Sequence, residues 1–136
     1  MDEVTFVWLE VTGKCQLRCT HCYAESGPSG THGMMGAADW LRVIDQAVGL
    51  GVKMVQFIGG EPTLYPWLKL LVEHALRQGL SVEIFSNLVH ITDDLWEVFS
   101  QPGISLATCQ PKCSPRCSPT CNPISCKPNA CWPPFR

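Results

Sequence analysis

Three cysteines stand close together near the N-terminus, in the run Cys15-Gln-Leu-Arg-Cys19-Thr-His-Cys22-Tyr23. At this spacing, three thiolates can converge on one small metal body if the chain curls around it. Zinc held by protein alone needs a fourth donor. His21 or an outside residue would have to supply it. A residue adjacent to a ligand rarely reaches the same metal, so His21 reads better as a group that holds a neighbouring ligand. A 4Fe–4S cluster can take three thiolates and leave one iron open. An open iron is useful only if something binds there. A disulfide leaves one cysteine over, and incidental thiols are the remaining alternative. The spacing favours the cluster.

Two further sets of residues could do chemistry. Gly59-Gly60-Glu61-Pro62 places two glycines, which let backbone approach a ligand closely, beside a carboxylate. The alternative is that Glu61 and Pro62 simply open the next helix, where proline is favoured and an acid complements the dipole. Ser86-Asn87 closes an apolar run, and an ordinary turn there is its alternative.

The elements that must position these residues follow from periodicity. Val4 to Val11 is β-branched and aromatic and reads as a strand. Thr12 to Thr31 has no periodicity and reads as a long loop, which inside a compact domain is usually functional. Asp39 to Leu50 and Trp67 to Gln78 carry helical apolar spacing, ended by Gly49 or Gly51 and by Gly79. Lys53 to Ile58 and Ser81 to Phe85 read as strands. Thr92 is a candidate N-cap for a helix through Phe99, and Ile104 to Ala107 starts a fourth strand. Alternation of strand and helix predicts an α/β fold with a parallel sheet. In such folds the chemistry sits at the C-terminal ends of the strands. The cysteine loop, the Gly-Gly-Glu run and Ser86-Asn87 each follow a strand, so all three fall at one end of one sheet. Trp8, Trp40, Trp67 and Trp96 read as core, and Met34-Met35 as packing. His74 and His90 have no partner at ligand spacing. Lys14 and Arg18 read as solvated charge beside the loop, and Tyr23 as core or a neighbour of the metal body.

The chain has 136 residues, 46% hydrophobic and 16% charged, which suits one packed domain. A net charge of −2 gives no case for a nucleic-acid binder driven by bulk charge. No apolar run approaches the roughly 18 residues of a membrane span. The start, Met-Asp-Glu-Val-Thr-Phe, is acidic and not signal-like, so the expected location is the cytoplasm, where disulfides are rare. The average hides a division near residue 107. All 12 acidic residues lie between Asp2 and Glu97, while Lys112, Arg116, Lys127 and Arg136 follow with no acid. Seven of 11 prolines and six of nine cysteines also follow, four of each in a Cys-x-Pro-x repeat begun at Cys109, Cys113, Cys117 and Cys121. Proline at every fourth position forbids helix and ladder pairing. The expected organisation is a β/α part at 1–107 and an irregular Cys/Pro-rich tail at 108–136. A change this abrupt in mid-strand favours a frameshift or truncation after Ala107 or Thr108. A metal-binding, auxiliary-cluster or disulfide tail is the alternative, and the other reading frames of the gene would discriminate.

The Cys15, Cys19, Cys22 motif after the first strand, together with Gly59-Gly60-Glu61-Pro62 after the second, resembles the radical S-adenosylmethionine (SAM) enzymes. The resemblance covers about residues 4 to 107 and implies the first half of that family's partial TIM barrel. It implies that Cys15, Cys19 and Cys22 each ligate one iron of a 4Fe–4S cluster. The fourth iron would chelate the SAM methionine, and reductive cleavage would give a 5′-deoxyadenosyl radical that abstracts a substrate hydrogen. The methionine-binding role carries over to Gly59, Gly60 and Glu61. Ser86 and Asn87 match a place near the SAM ribose or carboxylate, and His21 a place against the adenine. The wording of Cys-Thr-His-Cys-Tyr-Ala and Gly-Gly-Glu-Pro-Thr-Leu is most similar to members that modify ribosomal peptides, often with a cysteine-rich auxiliary-cluster domain. The implied partners are a peptide substrate and a flavodoxin- or ferredoxin-like reductant. No catalytic side chain is assigned. The alternative function is a non-catalytic metal- or cluster-binding remnant with a chelating tail.

Overall fold

The computed structural model describes residues 3–15, 27–89 and 91–108. Its elements are β1 (Phe6–Thr12), α1 (Ala37–Gly49), β2 (Met54–Gly59), a 3-10 turn (Pro62–Leu64), α2 (Leu68–Arg77), β3 (Ser81–Ser86), α3 (Asp93–Phe99) and β4 (Ile104–Thr108). The four strands form one sheet in the order β1-β2-β3-β4, parallel throughout. The expected alternation of strand and helix is therefore present, with boundaries moved by one or two residues.

Strand alternation decides which side chains meet the helices. Val7, Leu9 and Val11 of β1, Val55 and Phe57 of β2, and Val82 and Ile84 of β3 point to one face. There they join Ile44 and Ala47 of α1, Leu68, Leu71, Val72 and Ala75 of α2, and Leu95, Val98 and Phe99 of α3 in one core. Full burial of a side chain such as Phe57 or Ile84 contributes roughly 1.5–3 kcal/mol. The other face carries Phe6, Trp8 and Glu10, then Gln56 and Glu83, which are hydrogen-bonded across the β2–β3 register. No helix of the described residues covers that face.

This one-sided cover corrects the expected place of three tryptophans. Trp8 is 67% exposed because it alternates with Leu9 onto the open face, packing edge-to-face on Phe6. Trp67 is 53% exposed at the N-cap of α2, and Trp96 is 43% exposed, while its neighbours Leu95, Val98 and Phe99 turn inward. Only Trp40 packs against the core as expected. Met34 is fully exposed, so the Met34-Met35 pair is not a packing element. His74 does have a partner: its Nε2 lies 2.6 Å from Asp45 Oδ1 on α1.

Thr92 is the N-cap of α3 by backbone geometry, yet its hydroxyl donates to Asp94 rather than accepting from the helix. That hydroxyl holds the Asp94 carboxyl below the ordinary aspartate range. Among the described residues, no helix is long and apolar enough to cross a membrane.

Candidate functional site

The site begins where β1 ends. The β1–β2 ladder carries an irregularity between Glu10 and Thr12 and then pairs Thr12 with Gly59. It continues past both strands. Gly60 N–H donates to Thr12 O (2.8 Å) and Glu61 N–H donates to Lys14 O (2.9 Å). The continued ladder thus takes both of these amides. Gly59 adopts φ +135°, and a Cβ there would stand 2.2 Å from Thr12 O. The first glycine is thus required by the close approach of two backbones at this point.

The Thr12–Thr31 loop is clamped at its base. Gly13 N–H donates to Thr31 O (2.8 Å) and Cys15 N–H to Gly27 O (3.1 Å). Thr12 Oγ1 lies 2.8 Å from His32 Nδ1 and accepts from Lys14 N–H at 3.0 Å. The His32 ring meets Tyr65 edge-on at 5.6 Å. Sequence reading missed Thr12, His32 and Tyr65 as a set, because nothing in their spacing predicts that the loop returns to its origin. Lys14 is exposed, as expected.

Glu61 is the centre of the site. It is fully buried, and both of its carboxylate oxygens are engaged. Oε1 accepts from Thr63 N–H (3.2 Å), Thr63 Oγ1 (2.7 Å) and Ser86 Oγ (2.6 Å), and Oε2 accepts from Asn87 N–H (2.7 Å). A carboxylate offers about four acceptor sites and no donor, so four donors match it. Glu61 is also the N-cap of the 3-10 turn, with Pro62 in its first position, so the helix-opening role weighed above is present. One side chain thereby ties the exit of β2 to the exit of β3.

Asn87 extends that tie to β1, since its Nδ2 donates to Cys15 Sγ at 3.7 Å. Cys15, Glu61, Ser86 and Asn87, drawn from three strand exits, are all buried together. Cys19, Cys22 and His21 lie outside the described residues, as do Arg18, Tyr23, His90 and the tail from Cys109. The donor chemistry at the described end of the loop fits an iron–sulfur cluster. The available ligand is a buried sulfur facing an amide N–H, while both oxygens of the nearest carboxylate accept from the chain itself.

Fold and site together describe a parallel β/α sheet with its chemistry-bearing residues at the C-terminal edge, the layout of a radical SAM partial barrel. The chain belongs to the Radical SAM superfamily, whose sequence profile matches residues 9–122. It is 34% identical over 86 residues to the S-adenosylmethionine-dependent nucleotide dehydratase of Thermoplasmatales archaeon (strain ISO4-H5), covering 63% of this chain and 30% of that protein. It is 29% identical over 99 residues to the PqqA peptide cyclase of Rhodopseudomonas palustris, covering 73% and 26%. The crystal structure of Streptococcus suis SuiB bound to precursor peptide SuiA superposes with a TM-score of 0.68 at 24% identity, over 76% of this chain and 24% of that one. The chain therefore spans less than a third of the length of these proteins.

Proposed function

We propose that this chain forms the cluster- and SAM-binding part of a radical SAM enzyme acting on a peptide. The observation that carries the reading is the meeting of Cys15, Glu61, Ser86 and Asn87 at one sheet edge, within the stretch that matches the family. Cys15, Cys19 and Cys22 hold a 4Fe–4S cluster, which when loaded supplies the electron for reductive cleavage of SAM. Gly59, Gly60 and Glu61 shape the methionine end of the pocket. With the amides of Gly60 and Glu61 in the ladder, their part is to set the backbone path rather than to donate those N–H groups. Ser86 and Asn87 hold the β3 side of the pocket near the ribose or carboxylate, and His21 faces the adenine. A peptide substrate is supported by the PqqA peptide cyclase relative and by the peptide-bound SuiB fold. A flavodoxin- or ferredoxin-like protein in the cytoplasm supplies the electron. Residues 1–107 form the β/α part. The tail that follows Thr108, the last residue of β4, is a separate segment, whether out of frame or chelating.

The test is anaerobic reconstitution of the full chain with iron and sulfide, followed by EPR of the reduced protein with and without SAM. The expected result is a reduced-cluster signal that SAM shifts. A cluster indifferent to SAM, or metal held only by the tail cysteines, would overturn the reading and leave a metal-binding remnant.

A further inference from the structure

Asn87 is held more firmly than a turn residue needs. Its backbone N–H donates to Glu61 Oε2 at 2.7 Å, and its own Oδ1 accepts the N–H of Val89 at 3.0 Å, closing an Asx turn. Leu88 between them adopts φ +56°, a left-handed conformation disfavoured for a leucine because its Cβ crowds the following carbonyl oxygen. Its N–H is taken by Ser86 Oγ at 3.0 Å, and Ser86 is itself anchored on Glu61. The turn is thus strained locally and held by the buried carboxylate.

The consequence is an oriented amide. Because Oδ1 must face the Val89 N–H, Nδ2 must face the other way. The reverse assignment would set two donors against each other and an oxygen against a sulfur. The Nδ2 so placed points at Cys15 Sγ at 3.7 Å, in a pocket where Asn87 is 5% exposed. Cys15 is fixed from its own side by its N–H bond to Gly27 O. A donor aimed at a ligand sulfur withdraws charge from it and favours the reduced, more negative form of an iron–sulfur centre, which raises its reduction potential.

We propose that Asn87 is a positioning residue for Cys15 whose N–H···S bond raises the reduction potential of the cluster. This rests on the cluster reading above and adds a role on the sulfur to the place of Asn87 on the β3 side of the pocket. The experiment is an EPR-monitored redox titration of the reconstituted full chain, without SAM, for wild type, Asn87→Ser and Asn87→Asp. Serine keeps an acceptor for the Val89 turn but is too short to reach the sulfur. Aspartate keeps the shape and the acceptor but has no donor. At the potential where wild type is half reduced, the ratio of reduced to oxidised cluster should fall several-fold in Asn87→Ser and further in Asn87→Asp; a tenfold fall corresponds to about 59 mV for a one-electron couple.

A second measurement does not depend on the variants loading iron. Wild-type protein labelled with 15N-asparagine, whose other asparagines are Asn122 and Asn129, should show a 15N coupling to the reduced cluster by pulsed EPR. Variants that bind iron as wild type does and keep its potential would overturn the inference, as would absence of the 15N coupling. Failure of the wild type itself to load iron would instead defeat the cluster reading beneath it.

Discussion

Replacing Glu61 by glutamine changes one oxygen to an NH2 group, and the structure fixes what that costs. If the NH2 takes the Oε2 place, it meets the Asn87 N–H, formerly 2.7 Å from an acceptor, as donor against donor. If it takes the Oε1 place, it meets Thr63 N–H and the hydroxyls of Thr63 and Ser86. The cheaper orientation is the first, which loses one bond of the charged class, about 1.5–3 kcal/mol, and leaves a buried N–H without its acceptor. The expected cost is about 2–4 kcal/mol. Glu61→Ala removes every acceptor at once, and its expected cost is above about 4 kcal/mol, within the range that breaking a buried polar network can reach. For a domain of 60–100 residues, each kcal/mol lowers Tm by about 4–8 °C, so Glu61→Gln should melt at least about 8 °C below wild type. The assay is thermal and urea unfolding of the iron-free protein without SAM, so that no ligand contributes to the loss. A Glu61→Gln protein that melts within about 2 °C of wild type would refute the claim that this carboxylate ties the strand exits together.

Gly59→Ala should fail to accumulate as folded protein or lose about 3 kcal/mol or more, because φ +135° and the Cβ approach to Thr12 O act together; circular dichroism melts check this. Tyr65→Phe should be neutral or stabilising by up to about 1 kcal/mol, since the buried Tyr65 hydroxyl has no hydrogen-bond partner among the described residues. Burial first, and the Asp39 charge second, raise the Tyr65 pKa above its ordinary value. Its contribution is therefore fully present below about pH 10 and is lost as pH rises through the folded value, so Tyr65→Phe should flatten the alkaline decline in stability. A decline as steep in Tyr65→Phe as in wild type would assign it to another group.

Much of this was legible in the chain order of residue types. Apolar patterning located the four strands, α1 and α2, and the Thr92 cap located α3, because burying one face imposes a period on sequence that survives without coordinates. The cysteine spacing and the Gly-Gly-Glu run marked two strand exits, and Ser86-Asn87 the third. What periodicity does not carry is which of two faces is covered, so Trp8 was misplaced: in β1 both the Trp8 and the Leu9 sides are apolar enough to be core. Nor does it carry the use of polar atoms. Glu61, an anion beside two glycines in sequence, becomes in three dimensions the acceptor for donors from Thr63, Ser86 and Asn87. The Gly60 and Glu61 amides are taken by Thr12 and Lys14. The sequence by itself determined that the exits bearing the cysteines, the Gly-Gly-Glu run and Ser86-Asn87 would share one sheet edge, because parallel β/α order places every strand exit there. Only the tertiary structure decided that Asn87 faces Cys15, 72 positions earlier in the chain, because that contact depends on the β1–β2–β3 pairing and on a buried carboxylate that holds a strained turn in place.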